Sequence, residues 1–327
     1  MYKYLKKILI TGSNGLVGSE AVAFFQEKGW HVVGVDNNMR SMFFGVDAYE
    51  PMLNLDIREQ KDVEGLFQTV KFDAIIHTAA QPSHDWAKKA PLIDFDVNAR
   101  ATLILLETTR MYCPDAVFVH VSTDKVYGEN MVRDLVELPT RYEAEKPFAE
   151  DIGLDFAGQR SLFGCSKACA DMYAQEYANY FGMKVGIFRP GCITGGRHKG
   201  AEEHGFLAYL AKCIKEGITY KIFGYKGKQV RDQIHSYDLV NAFYHFIENP
   251  KIGGVYNIGG GSERSVSVLE AIDLIEKETG KICNYEIHEG RRGDRQWDVH
   301  DISKFRKDYP EWEYKYSLDD IIKDLCK

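Results

Sequence analysis

Three glycines, Gly12, Gly15 and Gly18, punctuate "TGSNGLVGS" between a short apolar run and an amphipathic stretch. Gly12 permits a tight turn and Gly18 a close helix–strand approach. Gly15 lets a diphosphate reach the main chain at a helix N-terminus, where N–H groups and the helix dipole attract an anion. Asp36 closes the next apolar run, "HVVGVD", 18 residues after Gly18. An acid at that spacing accepts hydrogen bonds from the adenosine ribose of a dinucleotide. It also repels a 2′-phosphate, so the pattern favours NAD over NADP. A second constellation lies in "STDK" (122–125) and "SLFGCSK" (161–167). Phe163 and Lys167, four residues apart, share one face of a helix.

The elements around these residues alternate. "KILITG" (7–12), 31–36, 73–80, 116–123 and 184–190 read as strands, with helical patterns at 17–29, 59–70, 91–112 and 161–182. Continuous apolar strands alternating with helices predict a parallel sheet covered on both faces, a doubly wound α/β (Rossmann) fold. After about residue 190 short strands (220–224, 255–260, 284–290) mix with helices at 204–217, 236–248, 266–279 and 317–325. The expected division is a dinucleotide-binding domain at 1–187 and a smaller α/β substrate-binding cap at 188–327, interleaved with it. The irregular span 129–160 reads as a lid or binding loop.

The spacing GxxGxxG, with "NLDIRE" (54–59), "HTAAQ" (77–81), "VSTDKVYG" (121–128), "SLFGCSK", "FRPGCITGGR" (188–197), "KQVRDQIHSYDLV" (228–240) and "GRRGDRQWDVHDISK" (290–304), resembles the extended short-chain dehydrogenase/reductase superfamily across almost the whole chain. The resemblance implies NAD held by Gly12, Asn14, Gly15, Leu16, Asp36, Asn37, Asp56, Ile57, Ala79, Ala80, Gln81, Asn98, Ser122, Lys167 and Arg189. It implies a nucleotide-diphosphate sugar as substrate, oxidised transiently to a keto-sugar and reduced again. Thr123 would hold the reacting oxygen, and Lys167 the nicotinamide ribose. Asp124 is the remaining member of the expected catalytic group. Substrate contacts are expected from Gln81, His84, Asp85 and Lys125, with Arg197, Arg231 and Arg291 on the diphosphate.

Position 163 departs from the superfamily, which carries Tyr there as the acid/base. Phe163 has no proton to exchange. Three readings are open: an engineered change, a native residue with another group moving the proton, or an inactive ligand-binding protein. Asp124, His84 and Cys192 are the candidate replacements. "STDKVYG" is similar to the Ser-Thr-Asn-Lys-Val-Tyr-Gly form of the CDP-tyvelose (CDP-paratose 2-) epimerases. Lys125 stands where the sugar 4,6-dehydratases carry a basic Glu, which disfavours dehydration. A CDP-sugar epimerase is the expected activity; a UDP-sugar 4-epimerase or a dehydrogenase of the same fold is the alternative.

Over 327 residues the chain is 45% hydrophobic and 27% charged, with net charge −7. That charge argues against nucleic acid as a partner. Seven cysteines without a CxxC pair fit reduced thiols in the cytoplasm. The opening "MYKYLKKILITG" lacks the apolar core of a signal peptide, and no apolar run nears the roughly 18 residues of a membrane span. Scattered histidines give no metal-ligand spacing. The superfamily pairs the helices at 97–112 and 161–181 between two copies, so a homodimer is expected.

Overall fold

β1 (Lys7–Thr11) is the hub of a seven-stranded sheet, and its order explains where a ligand can sit. The computed structural model describes residues 5–39, 52–129, 134–154, 159–196, 205–290 and 294–327. Strands β2 (His31–Asp36), β3 (Leu53–Asn54), β4 (Ala74–His77), β5 (Val117–Val121), β8 (Val185–Pro190) and β12 (Gly254–Ile258) complete the order β12-β8-β5-β4-β1-β2-β3. β1 pairs in parallel with both β2 and β4. The chain order therefore reverses at β1, and the crevice beyond the carboxyl ends of β1 and β4 is a topological switch point.

Helices α1 (Leu16–Glu27), α2 (Gln60–Thr69), α3 (His84–Lys89), α4 (Pro91–Phe95), α5 (Ala101–Tyr112) and α6 (Leu162–Phe181) belong with this sheet. α2 packs on α5, and α5 on α6. Leu9, Ile75, Phe118, Val185 and Ile187 from the strands meet Val63, Phe67, Leu105 and Ala174 from the helices in one buried cluster. The expected single helix over 91–112 is interrupted by a π-helical turn at Asp96–Arg100. Such turns gather at functional sites because they re-aim a side chain; this one carries Asn98.

The chain divides into two compact units. The first holds 1–126, 162–189 and 239–256; the second holds 127–161, 190–238 and 257–327. Two segments read from sequence as parts of the cap lie otherwise. α8 (Ser236–Glu248) passes mostly into the first unit, and β12 joins the edge of the large sheet beside β8. The cause is aromatic packing: Phe188 meets Phe243, Phe246 and Tyr256 edge-on or tilted at ring separations of 4.9 to 5.7 Å. Sequence periodicity finds a strand and a helix but not the sheet they join.

In the second unit β11 (Val230–His235) pairs with β9 (Cys192–Thr194), β13 (Ser265–Ser267) and β15 (Trp297–Asp298), while β10 (Tyr220–Phe223) pairs with β14 (Tyr285–His288). Helices α7 (Phe206–Glu216), α9 (Val268–Thr279) and α11 (Leu318–Cys326) pack mutually around Leu210, Ile214, Ile272 and Ile322, and the short α10 (Ser303–Asp308) precedes α11 in the chain. Reciprocal capping boxes at Ser267/Glu270 and Ser317/Asp320 start α9 and α11. Within 129–160, the two-residue strands β6 (Val136–Glu137) and β7 (Tyr142–Glu143) form a small antiparallel pair.

The core tolerates no added methyl at Gly186 on β8, where a Cβ would lie 2.4 Å from the Phe246 ring. Gly186→Ala is expected to cost about 1–3 kcal/mol by overpacking. Gly65→Ala, mid-helix in α2 with nothing within 4 Å, is expected to gain up to about 1 kcal/mol. Denaturant unfolding of the two variants checks both signs.

Candidate active site

The turn after β1 is shaped by close main-chain approach. Gly12 sits at φ +69°, and a Cβ there would lie 2.8 Å from the Cα of Ala79; a Cβ on Gly18 would lie 2.0 Å from the Gly12 carbonyl oxygen. Gly12 and Ser13 N–H groups both donate to Val35 O, and the Gly15 N–H donates to Gly12 O. α1 then starts at Leu16, with no side-chain cap from Gly15 and no acid in its first turn. The Ser13 hydroxyl is buried in this turn without a hydrogen-bond partner. A buried hydroxyl of that kind is what a phosphate oxygen would satisfy, and the uncapped helix start suits an anion. The turn thus fits the diphosphate of a dinucleotide.

Asp36 stands at the end of β2 and is fixed by two main-chain donors, Asn14 N–H (2.9 Å) and Asn38 N–H (2.8 Å). Asn14 also donates through Nδ2 to Asn38 Oδ1 at 2.8 Å. A carboxylate offers about four acceptor sites, so capacity remains for two ribose hydroxyls. Asn37 donates to Asp56 (3.0 Å), which Arg58 grips from Nε and Nη2. Burial alone would raise the Asp56 pKa, but its bonds to Arg58 and Asn37 outweigh it and hold the carboxyl below its usual range. Ile57 is buried beside it.

Beyond β4 the loop is bolted to two helices. Ala79 N–H donates to Thr11 Oγ1 (3.2 Å), and Ala80 is exposed. Gln81 N–H donates to Asn98 Oδ1 (2.9 Å), Asn98 Nδ2 donates back to Gln81 O (3.0 Å), and Asn98 Nδ2 also reaches Ser166 Oγ on α6 (3.1 Å). The π-helical turn supplies this reach. Gln81's own amide is engaged within the protein: Nε2 donates to Ser83 O and Asp94 Oδ1, and Oε1 accepts from Ser83 N–H. Gln81 therefore builds the loop in this structure and does not offer its side chain to a ligand. Burial raises the Asp94 pKa.

Lys167, 4% exposed, donates through Nζ to Val121 O at 2.6 Å. Burial lowers its pKa to about 8 against the opposing charges of Asp171 and Asp94. Just past β5, Thr123 donates to Asp124 Oδ1 (3.2 Å) and accepts from the Lys125 N–H (3.3 Å), while Lys125 Nζ pairs with Asp124 Oδ2 at 3.4 Å. Phe163, 7% exposed, lies one helical turn before Lys167, and its ring meets the edge of His84 at a centroid separation of 5.0 Å. His84 and Asp85 open α3, which Ser83 caps through Trp86 N–H (3.1 Å). All these groups belong to the first unit.

Three expected ligand residues are committed elsewhere. Ser122 donates to Asp171 Oδ2 at 2.5 Å, and Arg189 grips both oxygens of Asp171 at 2.9 and 2.7 Å. In the second unit Arg231 donates to Asp294, Arg295 O and Val230 O, and pairs with Asp298 at 3.4 Å. Arg197 and Arg291 lie outside the described residues. Cys192 lies on β9 in the second unit. Asp171, Ser166 and Asp94 escaped sequence reasoning because their partners are 13 to 68 residues away. A buried histidine did as well: His77 bridges Thr11 and Thr102, and burial plus the Lys167 charge hold its pKa at about 3. No group of residues able to hold a metal ion occurs among the described residues.

The family model described as "NAD dependent epimerase/dehydratase family" matches residues 8–259. A CDP-paratose 2-epimerase from Salmonella typhi is 32% identical over 98% of each chain. A UDP-glucose 4-epimerase from Cyamopsis tetragonoloba is 28% identical, covering 97% of this chain and 93% of that one. Among solved structures, UDP-glucose 4-epimerase of Thermotoga maritima with UDP-glucose superposes with a TM-score of 0.81 at 28% identity, covering 98% of this chain and 97% of the other. The Thermus thermophilus UDP-glucose 4-epimerase with NAD gives 0.81 at 25% identity with the same coverage.

The buried ammonium makes a pH prediction. Lys167 loses its proton near pH 8 when folded and near 10.5 when unfolded. The unfolded chain therefore binds the extra proton between those values, and stability relative to Lys167→Met rises as pH climbs from 8 to 10.5. Unfolding free energies of both proteins across that window are expected to diverge in that direction; a flat difference contradicts the buried, perturbed ammonium.

Proposed function

The chain belongs to the NAD dependent epimerase/dehydratase family, and on that premise we propose that it inverts one carbon of a nucleotide-diphosphate sugar, with a CDP-sugar as substrate and the 2-position as the carbon. The observation that carries this reading is the 32% identity to CDP-paratose 2-epimerase over 98% of both chains. Lys125 supports it. Its ammonium pairs with Asp124, so position 125 offers no carboxylate to remove a proton from carbon, and dehydration lacks its base. The second reading, a UDP-sugar 4-epimerase, draws on the similarity to the Thermotoga maritima structure.

NAD is the cofactor of the family, and here Gly12, Ser13, Gly15, Asp36 and Lys167 would hold it. When bound it takes a hydride from a sugar carbon and later returns it. The protein's own groups do the rest. Thr123 Oγ1 would hold the reacting sugar oxygen. Lys167, with its pKa near 8, keeps a positive charge at neutral pH for the nicotinamide ribose. Phe163 is buried against His84. Asp56 and Asn37 frame the adenine end. The acid cluster on Arg231 makes that residue a brace of the second unit unless the loop carrying Asp294 moves.

A homodimer through α5 and α6 fits the surface. Met111, Met172, Tyr173, Tyr180 and Phe181 on these helices are exposed, Tyr180 by 82%. Large apolar groups gathered on adjoining helices are a typical docking face. No described helix is long and apolar enough to cross a membrane.

CDP-, UDP-, GDP- and dTDP-sugars incubated with the NAD-loaded protein and followed by NMR are expected to show inversion with the CDP-sugar and no net NADH. Inversion only of UDP-sugars at the 4-position supports the second reading; no inversion of any sugar by this protein or by Phe163→Tyr sinks both. Asp36→Ala is expected to weaken NAD binding at least tenfold and to erase the preference for NAD over NADP, measured by calorimetry.

A further inference from the structure

The missing hydroxyl at residue 163 leaves the proposed reaction without a proton carrier. Oxidising a sugar hydroxyl releases a proton that a positioned group must accept and later give back. Phe163 cannot do so, yet its ring occupies the helical position beside Lys167 from which that group normally acts. The side chain packed edge-on against this ring is His84, half-buried in the first turn of α3. Its helix is held by Ser83 and by the Gln81–Asp94–Asn98 network, so the imidazole is carried on a fixed support. Asp124, another candidate, already accepts from Thr123 and pairs with Lys125.

We propose that His84 is the acid/base of this enzyme, its imidazole replacing the phenol that residue 163 lacks. This rests on the epimerase reading above. In the forward half-reaction the O–H proton of the sugar passes to the imidazole nitrogen while the carbon loses its hydride to NAD, so the alcohol becomes a ketone and NAD is reduced. In the return half-reaction the imidazolium gives the same proton back to the oxygen as the carbon regains the hydride on its other face. Histidine suits both directions because its ordinary pKa lies near neutral pH.

Two measurements test this on NAD-loaded protein. The first compares this protein, His84→Gln and the double variant His84→Gln/Phe163→Tyr. His84→Gln is expected to lower kcat by about 10²–10⁴-fold, and the added Tyr to recover at least tenfold. A kcat within tenfold of the parent overturns the proposal. The second uses the unmutated protein and reads the ¹⁵N shifts of the His84 ring. They are expected to move on adding the sugar nucleotide and not on adding the nucleoside diphosphate alone. Equal or absent movement overturns the proposal even if no sugar turns over. A failure of every sugar to react while the shift still responds to the sugar brings down the epimerase reading and leaves His84 at the sugar.

Discussion

The approach of α1 to the end of β1 sets the rest of the first unit. The Gly12 carbonyl lies where the Cβ of any residue other than glycine at position 18 would stand, only 2.0 Å away. Removing that Cβ brings the helix start against the central strand. Because β1 lies between β2 and β4, the same approach puts the uncapped N-terminus of α1 at the point where the chain order reverses. The positive end of the helix, the Ser13 hydroxyl and the Asp36 carboxylate are then offered to one crevice. A Cβ at position 18 would force them apart.

What surrounds that crevice is a set of buried polar groups satisfied by one another. Asp171 binds Ser122, Arg189 and Gln175, three residues that meet only in the fold. Asn98 joins the loop after β4 to α6 through Gln81 and Ser166. Breaking a buried pair leaves the other partner uncompensated, so these networks resist loosening. They hold α6 in the register that turns both residue 163 and Lys167 inward.

Much of this was legible in the sequence because it rests on local rules. The glycine spacing, the strand-end acid Asp36 and the i,i+4 relation of Phe163 to Lys167 need only a turn or a helix to act. The strand–helix alternation gave the sheet, and the cap helices over 206–216 and 268–279 lie where their periodicity put them. What escaped depends on distant partners. Nothing local tells that Gly254–Ile258 pairs with the large sheet, since the deciding contact is a cluster of aromatic rings from three separate segments. Nothing local tells that Gln81 and Arg231 spend their donors inside the protein, because the acids that claim them lie 13 and 63 residues on. The π-helical turn at Asn98 reads as ordinary helix until Gln81 and Ser166 are placed around it.

Phe163 and Lys167 then pose a question of charge rather than of fold. In the superfamily pattern the lysine both holds the cofactor and lowers the pKa of a phenol. Here residue 163 is Phe, so the second task has no phenol to act on. Burial pulls the Lys167 pKa down, and Asp171 and Asp94 pull it back, leaving it near 8. Without those two carboxylates burial would carry it lower. The protein therefore keeps the machinery that maintains a cation beside the cofactor site although the phenol that cation would activate is absent. Maintaining a buried cation is unfavourable in itself, so its retention fits a site still built to bind the dinucleotide. In the proposal made above, the proton that a phenol would carry passes instead to the imidazole packed on the Phe163 ring.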